Sequence, residues 1–75
     1  MSKYLKEGAV DLFITYKFLR LLVTPWKKTD AFEAGVIDDK GKLLVKIKDQ
    51  SSAQKKTYDV FERLVFNIKR ILEKI

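Results

Sequence analysis

Apolar residues recur along residues 4–23 at three- and four-residue steps: Leu5, Ala9, Leu12, Phe13, Tyr16, Leu19 and Val23. That period is helical. Val10, Ile14, Phe18, Leu21 and Leu22 widen the stripe until only Lys6, Lys17 and Arg20 remain as a polar strip. A helix this apolar needs cover on more than one side. Two readings stay open. It is a central helix wrapped by the rest of the chain, or it also packs on another subunit, with Val10, Ile14, Phe18 and Leu21 as the candidate oligomer surface.

Pro25 stops this helix near Leu22 or Val23, because the residue before a proline is pushed out of the α region. Trp26 follows at the corner, with a large ring to bury and one N–H that needs a partner. It reads either as a plug on a small core or as an exposed ring for a partner. Thr29 or Asp30 then serves as an N-cap, Asp30 and Glu33 resemble a capping box, and Gly35 suits the position just past a helix. A short helical turn over 30–34 follows, with Phe32 inward.

Two apolar runs next flank Asp38-Asp39-Lys40-Gly41. The pattern predicts a β-hairpin over about 36–47, closed by a type I turn with Gly41 in a left-handed bulge position. Leu43, Val45 and Ile47 would share one face, and Lys42, Lys46 and Lys48 would guard an exposed edge. Asp38 and Asp39 lack the further carboxylates of a calcium loop and read as turn chemistry.

From about 53 to 74 the helical period returns. Phe61, Leu64, Val65, Ile68, Leu72 and Ile75 form one stripe, and Ser51 with Gln54 is spaced as a capping box, with Thr57 as a competing N-cap. On the other side Arg63, Asn67, Arg70 and Lys74 fall on one ridge, with Lys56 further back. These five residues are the candidate contacts for a nucleic acid or an acidic partner. The competing reading is a solvated face whose cations suit a helix C-terminus. Asp59, Glu62 and Glu73 lie close enough to consume part of that charge.

The expected architecture is therefore α+β in a single domain over 1–75. Two long helices pack antiparallel, with a Pro-Trp corner, a short turn and a hairpin between them. Composition changes the functional picture more than the fold. With no Cys and no His among 75 residues, disulfides, thiolate metal sites and the commonest general base are excluded. No phosphate-cradling glycine loop and no carboxylate pair placed to share a proton occurs either. The sequence predicts no enzyme, no cofactor, no metal and no small-molecule substrate. The net charge of +6 suits an acidic partner or simple solubility. Charges interrupt the first apolar segment well short of a bilayer span, so no membrane association is expected.

Several blocks resemble a family of small proteins encoded by T-even-type tailed phages, including marine ones, and associated with the prohead core. They are Phe18 to Trp26, Lys28 to Phe32, Gly35 to Lys42 and Arg63 to Arg70. The likeness spans about residues 10–74. It consists of short sequence blocks with no chemical signature. It implies a viral structural role in virion assembly through protein partners or self-association, most simply as a homo-oligomer. It also implies residence in the host cytoplasm during infection and then in the prohead or virion, near packaged DNA. Family members continue past the position of Ile75, which thus reads as a shortened end. The alternative is a small basic nucleic-acid-binding protein using the ridge from Lys56 to Lys74.

Overall fold

The computed structural model describes residues 2–75, with side chains described at residue 8 and from 11 onward. The described residues form four α-helices: α1 (Ser2–Val23), α2 (Asp30–Glu33), α3 (Ser52–Lys56) and α4 (Val60–Lys74). Single 3₁₀ turns lie at Trp26–Lys28 and Ile47–Asp49.

The helix boundaries follow local chemistry. α1 ends two residues before Pro25. Thr29 caps α2, accepting from the Phe32 N–H at 3.2 Å, so Thr29 and not the Asp30–Glu33 pair starts this turn. Gly35, at φ 75°, closes it. Its N–H donates to Phe32 O and the Val36 N–H donates to Ala31 O, the Schellman arrangement that satisfies the last carbonyls of a helix. Ser51 and Gln54 form the expected capping box on α3.

The second long helix is two helices. The chain breaks at 57–59, where Asp59 adopts an extended backbone and accepts from the Phe61 and Glu62 N–H groups. Tyr58, within the break, is buried in the core.

The expected hairpin, and with it the α+β class, is overturned. The turn itself forms: Asp38 Oδ1 accepts from the Lys40 and Lys42 N–H groups, and Gly41 sits at φ 81°. Pairing stops at one bridge, Ile37 with Leu43, and no sheet occurs among the described residues. The arms are too short to extend it. The Gly35 cap leaves only Val36 and Ile37 before the turn, and on the other side the chain coils into the 3₁₀ turn at Ile47. Val36 and Ile37 are fully buried in the core and have no neighbouring strand. The architecture is all-helical with an irregular central segment.

The packing direction is also corrected. Lys17 lies 5.1 Å from the Phe61 ring, while further along both helices the Lys69 ammonium donates to Thr24 O and Trp26 reaches Glu73. Contacts advance the same way on α1 and α4, so the two helices are parallel. The segment 24–59 carries the chain back to the start of α4, and a connection that long removes any need for an antiparallel return.

Trp26 is the centre of the core, joined by Ala31, Val36, Ile37, Tyr58 and Phe66. Its ring meets Phe66 edge-on at 5.3 Å and carries the Lys69 ammonium at 4.7 Å from its centroid. Its indole N–H donates to the Glu73 carboxylate at 2.9 and 3.1 Å. Lys69 is buried because it caps the C-terminal end of α1 from a different helix, where partial negative charge collects. Burial pushes the Lys69 ammonium below the ordinary lysine range, and Glu73 acts against that shift. The Pro-Trp corner is thus the structural joint, and no exposed ring is left there for a partner.

Candidate functional site

Two surfaces stand out. The first is the outer face of α1. Leu12, Tyr16, Leu19 and Val23 are 72, 63, 51 and 77% exposed. They are spaced by four, three and four residues, the seam spacing of a coiled coil. In sequence the same register takes in Leu5 and Ala9. Leu21 lies on the opposite side and packs against the core.

This placement separates the residues expected to form an oligomer surface. Leu21 is half-buried and packs against the core, Phe18 is half-buried, and Ile14 is exposed. The side chain of Val10 lies outside the described residues. α1 turns its inner face, running through Lys17 and Leu21, to the protein and presents its more regular apolar stripe to solvent. α4 behaves similarly: Phe66, Val65 and Lys69 face inward, whereas Val60, Leu64 and Ile71 are more than half exposed.

The chain exposes 6014 Å². A compact monomer of 8.8 kDa exposes about 4,800 Å². The radius of gyration, 14.5 Å, likewise exceeds the roughly 11 Å expected for this length.

The second surface is a cleft of about 340 Å³ between α1, α2 and the α3–α4 joint. Four cations line it: Lys17 and Arg20 from α1, Lys28 from the 3₁₀ turn after Pro25, and Lys56 from α3. Asp30 and Glu62 are its carboxylates, and Leu21 and Phe66 form part of its floor. Its threonine hydroxyls are already committed as donors. Thr24 donates to Arg20 O, Thr29 to Trp26 O and Thr57 to Gln54 O.

Glu62 is the anomalous group in this cleft. Burial raises its pKa to about 7, helped by a hydrogen bond to Asp59 and by that carboxylate's charge; Lys17 pulls the other way. The same bond from Glu62 holds Asp59 below the usual carboxylate range. As a carboxylate, Glu62 leaves Oε2 buried with no donor. Protonated, it becomes the donor to Asp59, which is the reason the two shifts run in opposite directions.

The basic ridge on α4 is partly engaged within the chain. The Arg70 guanidinium donates to Gly41 O and to the Asn67 side-chain oxygen, tying the 38–41 turn to the helix. Glu73 is used by Trp26, not by Arg70. Arg63 and Lys74 are exposed on α4, and Lys56 lines the cleft. The cleft was not readable from sequence, because its four cations come from separated segments. Among the described residues no cluster of His, Cys, Asp or Glu could hold a metal ion, and no helix is long and apolar enough to cross a membrane.

No family model, no curated protein and no solved structure matches this chain.

Proposed function

We propose that this chain is a non-enzymatic assembly protein that self-associates through the outer face of α1, in a role of the prohead-core kind suggested by the phage resemblance. The observation that carries the reading is the Leu12, Tyr16, Leu19, Val23 stripe, exposed at seam spacing on the side of α1 that faces away from the core. The surface excess over a compact monomer is about 1,200 Å², more than the roughly 800 Å² each partner contributes to a stable interface. A second copy supplies the matching stripe, since a two-fold interface pairs a patch with itself.

The test is sedimentation velocity on the wild type and on a Leu12→Glu, Leu19→Glu variant. The wild type should associate with rising concentration, and the variant should stay monomeric with its melting temperature unchanged. A wild type that remains monomeric at high micromolar concentration sinks the proposal.

A further inference from the structure

We propose that the cleft between α1, α2 and the α3–α4 joint is a binding site for a phosphate-bearing ligand, held by Arg20, Lys28, Lys17 and Lys56. Four cations from three separate segments, α1, the turn after Pro25 and α3, converge on one cavity against two carboxylates. All four side chains are exposed to solvent, and their excess over the two carboxylates gives the cleft a net positive charge that attracts an anion. The cleft's 340 Å³ falls at the lower end of small-ligand sites, about 300–1,000 Å³. That is room for more than a single ion.

Phosphate is favoured by the kind of donor present. The threonine hydroxyl hydrogens point back to backbone carbonyls, so the wall offers charged donors in place of neutral ones. Ammonium groups and a guanidinium fork select for dense negative charge with several acceptor oxygens. Leu21 and Phe66 give the remainder of a ligand an apolar surface to lie against.

Glu62 couples the site to pH. It shares the cleft with Lys17, Arg20, Lys28, Lys56 and Asp30, and Asp59 adjoins it at the head of α4. Ionised, it opposes an incoming anion. Protonated, it is neutral and bonded to Asp59, and the field in the cleft becomes more positive. Ligand binding should therefore take up a proton near neutrality.

The experiment is a titration of the ¹⁵N-labelled intact chain with inorganic pyrophosphate at low ionic strength, repeated with a short single-stranded dT oligonucleotide. Pyrophosphate should move the amide signals of Lys28, Thr29 and Thr57. An Arg20→Gln, Lys28→Gln variant should bind about tenfold more weakly with an unchanged fold, as expected for loss of two charged donors. An Arg63→Gln, Lys74→Gln variant should bind as the wild type does. The Glu62→Gln variant reports the ligand's own titration, and relative to it the wild type should lose roughly fivefold more affinity between pH 6 and pH 8.

If the oligonucleotide binds more tightly than pyrophosphate and competes with it, the ligand is a nucleic-acid backbone. If only pyrophosphate enters the cleft, the ligand is a small phosphate. The assignment is overturned if neither binds, if the Arg63, Lys74 variant is the one that loses binding, or if a polyglutamate peptide displaces pyrophosphate as well as the oligonucleotide does. The Leu12→Glu, Leu19→Glu chain should bind normally, so failure of the assembly reading and failure of this one are distinguishable.

Discussion

Replacing Gly41 by alanine tests the centre of this structure at a single atom. Gly41 is buried at φ 81°, and a Cβ added there would lie 2.5, 2.6 and 2.7 Å from three carbons of the Trp26 ring. Carbon atoms pack at about 3.5–4.0 Å, so the ring would have to retreat by roughly 1 Å. It has nowhere to go. The Phe66 edge, the Lys69 ammonium and the Glu73 carboxylate hold it on its other sides. The left-handed backbone costs alanine about 1–2 kcal/mol. The overpacking adds about 1–3 kcal/mol. A chain of this length has a total stability of about 4–11 kcal/mol, so the variant should lose a large fraction of it.

Gly35→Ala separates the two costs. Gly35 has nearly the same φ, 75°, but a Cβ there would have no neighbour within 4 Å. It should lose only the backbone term, about 1–2 kcal/mol. Urea denaturation followed by far-ultraviolet circular dichroism and by the fluorescence of the only tryptophan measures both variants. Adding Trp26→Phe to Gly41→Ala should recover about 1 kcal/mol relative to the sum of the single changes, because the smaller ring makes space. Equal losses at Gly41 and Gly35, with no coupling to Trp26, would falsify the packing described for the corner.

Three further outcomes follow from named contacts. Trp26→Ala should lower stability by about 3–5 kcal/mol in the same denaturation assay, since it empties the core. Asp59→Ala removes the N-cap of α4 and should lower stability by about 1 kcal/mol, seen as loss of helical signal at moderate urea. The pH dependence of stability should carry the mark of Glu62. Its folded pKa, about 7, lies above its ordinary 4.5, so its contribution is full below about pH 4.5 and is lost as pH rises through 7. Asp59, shifted down, acts oppositely and only at lower pH. Glu62→Gln should flatten the decline between these values, an effect on the order of 1 kcal/mol after solvent screening, and no change in slope would refute the assignment.

The local elements were largely legible because local chemistry specified them. Pro25 ended α1, Thr29 and Gly35 bounded α2, Gly41 sat left-handed in its turn, and Ser51 with Gln54 capped α3. Two features were misread for physical reasons. The apolar runs around 38–41 promised strands, but burial of Val36 and Ile37 against the core took precedence over pairing. The break at 57–59 had a visible signal, Asp59 followed three residues later by Glu62. It was masked by helical periodicity on both sides of it. Neither the parallel direction of α1 and α4 nor the convergence of Arg20, Lys28 and Lys56 on one cleft has any local signal, since both depend on the path of the central segment.

The faces of the two long helices were misjudged in a more informative way. Periodicity finds the stripe where apolar residues concentrate, and it is natural to turn that stripe inward. Here the protein turns inward a mixed face on each helix: Lys17 and Leu21 on α1, Glu62, Phe66 and Lys69 on α4. Lys69 is tolerated there because it caps α1 and lies on Trp26; Glu62 is tolerated because it can protonate toward Asp59. Each polar group on an inner face thus has a specific partner, while the regular apolar spacing of Leu12, Tyr16, Leu19 and Val23 has none among the described residues. A periodic stripe with no internal partner is what a repeated contact with another copy would require. The pattern that misled the assignment of the core is therefore the same pattern that supports assembly.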